Sequence, residues 1–563
     1  FHKRRTICLL LLTFVLLLPG ALTGSGATTV LTVGALVGAV LSAMGVDETK
    51  RAAIIFLGAA MSAADMLKRA KSVTVVAHID ADGITAGSIA SAALSRAGVQ
   101  HVVRFAKKID DEEVRRINED SSEIVWLVDL GSGSFSKFDP SRVVVSDHHR
   151  IDGSGPARVD LFSFDIAHVN PHRFGIDGST DISGAGATYA VAKNMGPDNR
   201  DLAALAVVGA VGDFQDNACV RLVGYNRAIL KDAVDAGRVA AHIDMRAFGR
   251  QTRPLHAFIL YSNDPPLLPA LRTAYQASFR RADEIDDGDR HLISSFLDSL
   301  GIERHDEAGW RCWASLGPEE RTAVASALCT CLLDAGKGIP VVRRLIGEVY
   351  ALDPRLVDAP EGWLSRQGME VDDEKEWRPN ARAMLDAKEM AALLNACGRH
   401  GRPETGMAIC LGDRGERLSE ALRLQVDHRN ALREAMVLVQ EGGEFGIREL
   451  PCLRYFNGGE RIKDTIVGIV AGMLLGETVP ADRPLFGLSL ATDDMTMVKV
   501  SARGTRSMVE RGLDLSLVMG QAAHAVGGAG GGHNVAAGAS VPRGREEEFL
   551  QLANDIVEEQ LNR

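Results

Sequence analysis

Along this chain, short runs of β-branched and apolar residues alternate with longer helix-like stretches from Met61 onward. SVTVVAHIDADG (72–83) reads as a strand running into a turn, and ITAGSIASAALSRAG (84–98) as a helix stopped at Gly98. EIVWLVDLGSG (123–133) is a second buried strand and SRVVVSDHH (141–149) a third. Near-continuous apolar runs separated by helices predict a mainly parallel, Rossmann-like α/β sheet covered on both faces. The Ala-rich segments 182–196 and 201–216 read as helices. A helix-rich region with acidic, charged interruptions follows from about 236 to 430. Strands return in PCLRYFNG, RPLFGLSLATDD and MTMVKVSARGT, followed by a Gly-rich turn and a final helix at 545–563.

At 563 residues the chain has room for three or four domains of about 100–200 residues each. The expected divisions are an apolar N-terminal segment (1–60), an α/β domain (61–235), the helical middle region (236–430) and a smaller C-terminal α/β domain (431–563). A hydrophobic content of 46% with 24% charged residues describes a globular protein. The net charge of -11 argues against a protein that coats nucleic acid over a broad basic face. It leaves open a narrow groove, or a metal centre that supplies positive charge locally. Eight cysteines with no C-x-x-C pair argue against a zinc knuckle or a disulfide framework, and favour a reducing cytoplasm.

The N-terminus departs from that picture. Residues 2–26 have the basic flank, apolar core and small residues of a signal peptide. With residues 28–45 they also read as a two-helix membrane hairpin, each run near the lower limit of about 17–20 residues for a span. Lys3, Arg4 and Arg5 on the inner side would then leave the rest of the chain cytoplasmic. A third reading places the functional start at Met44 or Met61. The chain is thus expected to be cytoplasmic, or membrane-attached if the apolar segments serve as anchors.

Candidate chemistry collects where strands end, which is where open α/β sheets bind ligands. The first strand ends in His78, Asp80 and Asp82, which alternation in an extended segment would project to one side. The second ends in Asp129, the third in Asp147, His148 and His149, and Asp213 follows a later apolar helix. Mixed carboxylate and imidazole ligands suit Mn²⁺ or a similar divalent ion. Six or seven such groups are too many for one ion with an open position, so two metals are the economical reading. Taken singly, each residue would pass for a helix cap or a polar turn.

In this order, HIDADG, VDLG, SDHH and GDFQD resemble the four motifs of the DHH phosphoesterase superfamily, in particular its RecJ-like, archaeal-type single-stranded-DNA exonucleases. Residues 169–193 and 385–414 are similar to further stretches of that branch. GGAGGGHNVAAGASVP (527–542) is similar to the glycine-rich signature of the DHH-associated substrate-binding domain. The resemblance spans roughly 61–563. It implies that His78, Asp80, Asp82, Asp129, His148 and Asp213 hold two Mn²⁺ or Mg²⁺ ions, with Asp129 bridging them. His149 would face the scissile phosphate and Asp147 would orient the histidine pair. Gly530, Gly531, Gly532 and His533, with Arg503, would hold substrate phosphate, and Ser183 with Gly184 and Gly186 could offer helix N-terminal amides to another. An ordinary N-cap at Ser183 fits equally well.

The implied activity is exonucleolytic hydrolysis of single-stranded DNA or RNA to mononucleotides. Two alternatives stand beside it: a phosphodiesterase of short oligonucleotides or cyclic dinucleotides, which the acidic charge also suits, and an accessory subunit of a replication or repair complex.

Overall fold

The computed structural model describes residues 48–151, 168–262, 265–275, 285–353, 380–476 and 479–561. The chain forms two compact units, Phe1–Gln425 and Val426–Arg563.

In the first unit, β1 (Ser72–His78), β2 (Gln100–Ala106), β3 (Ile124–Val128), β4 (Val143–Ser146) and β5 (His168–Val169) form a wholly parallel sheet of order 2-1-3-4-5. Alternate residues serve different cores. Val75, Trp126 and Val144 face one hydrophobic cluster, whereas Val76, Leu127 and Val145 face another. That is why these strands read as unbroken apolar runs. Helices α1 (Glu48–Arg69), α2 (Ala81–Arg96), α4 (Gly184–Met195) and α5 (Ala203–Gly212) contribute to the first cluster, and α3 (Asp111–Asn118) gives Ile117 to the second. The mainly parallel α/β sheet expected from the sequence is present.

Two strands of this sheet escaped the sequence reading. β2 lies at the sheet edge, so most of its residues QHVVRFA are only half-buried and Val102 is exposed. β5 is only two residues long. At the N-terminus, residues 48–60, read as part of an apolar leader, instead form the first half of α1. Phe56 there is fully buried, edge-on to Phe174 and Tyr225. A phenylalanine so placed contributes roughly 1.5–3 kcal/mol of burial. The proposed signal or membrane segments before residue 48 lie outside the described residues; among the described helices, none is long and apolar enough to cross a membrane.

Residues 236–430 hold two different pieces. An antiparallel ribbon of β6 (Val239–Met245) and β7 (Ile346–Leu352) brackets an inserted helical body with its own core, in which Phe258 stacks on Trp313. After it, α6 (Ala387–Arg399) and α7 (Pro403–Cys410) pack back on α2, and α6 also meets α5. The division between units falls inside α8 (Glu416–Gln440).

The second unit is a mixed sheet of order β8-β9-β10-β11-β13-β12, formed by β8 (Arg448–Glu449), β9 (Arg454–Asn457), β10 (Leu485–Leu490), β11 (Met497–Arg503), β12 (Ala529–Gly532) and β13 (Ala536–Pro542). Helix α9 (Val467–Leu474) and the end of α8 share one core with Phe456; α10 (Leu515–Ala525) and α11 (Glu546–Leu561) share another with Phe486. The Gly-rich turn of the sequence reading is in fact the edge strand β12. Glycine is needed there for close approach, because a Cβ on Gly530 would lie 2.3 Å from the Met519 carbonyl of α10.

Candidate metal centre

The order 2-1-3-4-5 reverses direction between β1 and β3, and at such a switch point the loops leaving neighbouring strands diverge to open a crevice. His78 ends β1, Asp129 follows β3, and Asp147–His149 follow β4. Asp80 keeps an extended backbone, but Asp82 does not, contrary to the alternation argument. The chain turns helical at Ala81, so Asp80 is the N-cap of α2, accepting from the Gly83 N–H at 3.0 Å, and Asp82 reaches in from the first turn. Asn395 of α6 accepts the Ala81 N–H at 3.0 Å and fixes that junction from 314 residues away.

Metal-ligating atoms converge in overlapping groups: His78, Asp80 and Asp129; Asp82, His148 and Asp213; and Asp129, His148 and His149. Asp129 faces both sides, with Oδ2 at 3.5 Å from His78 Nδ1 and Oδ1 at 3.3 Å from His148 Nε2. Its backbone is left-handed (φ 61°), a conformation that aspartate tolerates better than most residues. Gly184 makes room for it: a Cβ there would lie 2.2 Å from Asp129 Oδ1.

His148 shows the chemistry best. Its Nδ1–H donates to the Gly178 carbonyl at 2.6 Å, which leaves a lone pair on Nε2. That atom looks at Asp213 Oδ2 (3.2 Å), Asp129 Oδ1 and Asp82 Oδ2 (3.7 Å). Nε2 of His148, Nδ1 of His78 and both Asp129 oxygens are buried without a hydrogen-bond partner. Lone pairs crowded against lone pairs require a cation or a proton between them. Accordingly burial and the Asp129 and Asp213 carboxylates push Asp82 well above the usual carboxylate range. Burial opposes charge on His148, but Asp129 and Asp213 outweigh it and raise its pKa. The donor set fits divalent ions held by oxygen and imidazole nitrogen.

Asp147 is fully buried and serves the backbone. One oxygen accepts from the His148 and His149 N–H groups (2.8 and 3.2 Å) and from His149 Nδ1 (2.8 Å); the other accepts from Ser132 N–H (2.9 Å). It therefore orients the ring of His149, while the ring of His148 is set by Gly178. The side chain of His149 is about half exposed, at 46%.

Ser183 does not lead to a phosphate site. Its hydroxyl accepts from Gly186 N–H at 3.1 Å as an N-cap, and the Gly184 and Ala185 amides are taken by Asp82 at 2.7 and 3.1 Å. The anion at this helix N-terminus is a side chain of the protein. Arg503 closes β11, half-buried over Gly468 of α9, and Gly530, Gly531, Gly532 and His533 are exposed on β12 and the turn after it. Sequence reasoning assigned no role to Gln215, whose amide donates to the carbonyls of Gly178 (2.9 Å) and Ile182 (3.2 Å) and so braces the acceptor of His148. Nor did it single out Arg399, which stands in the field of Asp80; only the stretch 385–414 covered it.

Two family models match the chain: the DHH-CID domain at residues 247–346, which is the body bracketed by β6 and β7, and the DHHA1 domain at 452–559 in the second unit. The chain is 27% identical over 497 residues to the uncharacterized protein MJ0831 of Methanocaldococcus jannaschii, covering 87% of this chain and 94% of that one. Among solved structures it is similar to CDC45 from Entamoeba histolytica (10% identity, 91% of this chain and 99% of that one, TM-score 0.54). It is also similar to RecJ from Thermus thermophilus in complex with Mn²⁺ (16% identity, 89% of this chain, TM-score 0.49), and spans only 55% of that chain. With a DHH-CID and a DHHA1 domain joined to a parallel α/β sheet, the chain is similar to the DHH phosphoesterases in both its matched domains and its fold.

Proposed function

We propose that this protein is a metal-dependent phosphodiesterase that degrades single-stranded DNA or RNA exonucleolytically to mononucleotides. The observation that carries the reading is the set of buried, unbonded atoms of Asp129, His78 and His148. His78, Asp80, Asp82, Asp129, His148 and Asp213 would hold two Mn²⁺ or Mg²⁺ ions. Bound there, such ions would lower the pKa of water and neutralise charge on a phosphodiester. The chain's own contribution is orientation. Asp147 holds His149 by Nδ1; burial opposes charge on that ring, but Asp147 outweighs it and raises its pKa, so the imidazolium can donate from Nε2 to a phosphate oxygen. Arg503, Gly530, Gly531, Gly532 and His533 are the proposed substrate contacts of the C-terminal unit, Arg503 as a fork-shaped donor.

The stretches at 169–193 and 385–414 favour a single-strand exonuclease over a small-substrate enzyme. The test is a substrate panel on the full chain with Mn²⁺, Mg²⁺ or EDTA: long single-stranded DNA and RNA, dinucleotides and cyclic dinucleotides. Long strands should shorten to mononucleotides only with metal, and Asp129→Ala or His148→Ala should abolish this. Survival of long strands while dinucleotides are cleaved would make it a small-substrate phosphodiesterase. Cleavage of none, with a replication or repair partner co-purifying, would leave an accessory subunit.

A further inference from the structure

Among the described residues, three that are not glycine take a left-handed backbone: Asp129, Phe214 (φ 57°) and Val220 (φ 53°). Asp129 has a reason in the metal centre. Phe214 has none of the polar chemistry that makes this conformation tolerable, and the residue is 63% exposed. Its neighbours leave it no alternative. On one side, the Asp213 carboxylate lies 3.2 Å from His148 Nε2. On the other, Gln215 is buried, donating to the Gly178 and Ile182 carbonyls and accepting from Asn226 Nδ2 at 2.7 Å, and buried Asp216 pairs with Arg246 at 2.5 Å. The segment is rigidly held so that an aromatic ring stands in solvent, which is the kind of locally unfavourable arrangement that persists for function.

The position matters too. Asp82, Asp129 and His148 form the buried floor of the centre, whereas Asp213, His78, Asp80 and His149 are partly exposed and mark where a substrate can enter. Phe214 follows Asp213 directly, about 3.8 Å away along the backbone, which is within the dimensions of one nucleotide.

We propose that Phe214 is a stacking platform for the nucleobase of the nucleotide whose phosphate occupies the metal centre. This rests on the phosphodiesterase reading and deepens it. A π-face is common to all bases, so stacking on it would secure each successive nucleotide without sequence preference.

Two measurements test this. Single-stranded DNA carrying 2-aminopurine at both ends, bound by the full chain with Ca²⁺ in place of Mn²⁺, should lose fluorescence by stacking; Phe214→Ala and Phe214→Leu should restore it. With Mn²⁺, wild-type KM should be roughly 5- to 100-fold lower for intact strands than for strands with abasic terminal nucleotides, and Phe214→Ala should collapse that ratio. Phe214→Asn, which suits the left-handed backbone, should collapse it as well while melting no lower than wild type. Quenching retained by Phe214→Ala, or a KM that rises equally for both substrates, would overturn the proposal. If the wild type cleaves neither strand, the phosphodiesterase reading fails, and the fluorescence arm still decides whether a base stacks on Phe214.

Discussion

Asp129 sits in a left-handed conformation, 1% exposed, with no hydrogen bond to either oxygen, close to Asp82 and Asp213, which burial and neighbouring carboxylates have pushed up. Without a cation this is a destabilising arrangement, so function and stability pull apart at this residue. Asp129→Asn keeps the size and the tolerance for positive φ but removes one charge. The metal-free protein should melt at least about 2 °C higher. The gain from Mn²⁺, about 2.7 kcal/mol for the wild type at a hundredfold excess over Kd, should vanish with the activity. Thermal melts in EDTA and in Mn²⁺ check both; an unchanged metal-free melt with the Mn²⁺ shift retained would remove Asp129 from the centre.

At the scale of elements, helix α6 ties the inserted body to the sheet domain through a buried carboxylate. Glu389 accepts from the Gln251 N–H at 2.8 Å and from the Thr252 hydroxyl, beside Asp386 and Arg250. Burial, then the Asp386 charge, push it up to about 7. Because the folded value lies above that of the unfolded chain, this group's contribution is fully present below about pH 4.5 and is lost as pH rises to 7. The loss is at most about 3 kcal/mol. Glu389→Gln should therefore flatten the fall in melting temperature between pH 5 and 8, measured by calorimetry. A slope identical to wild type would assign that pH dependence elsewhere.

Over the whole molecule, the first unit and the second have separate hydrophobic cores, and all the candidate metal ligands described above belong to the first. Calorimetry of the full chain should accordingly resolve two transitions, with Mn²⁺ raising one and leaving the other in place. A single transition that moves as a whole would show the two units to be one cooperative block.

The strands that place the centre are legible because a sheet buried on both faces demands apolar runs, and the polar residues at their ends interrupt those runs. So HIDADG, VDLG and SDHH stand out as local patterns, and the parallel α/β class follows from them. Edge strands carry no such constraint, which is why periodicity does not reveal β2 or the glycine strand β12. An Ala-rich core helix and an apolar leader have similar composition, so residues 48–60 read as the wrong one. What composition and periodicity could not supply are long-range contacts. That the amides after Ser183 hold Asp82, that Asn395 caps α2, and that Gln215 shares an acceptor with His148 all depend on segments meeting across tens to hundreds of residues. Which side chains were available for metal chemistry, and which strands would carry them, can be read from the local residue pattern. Which of them meet depends on the folded chain, because hydrogen bonds and carboxylate spacing are set by distance in space rather than along the chain.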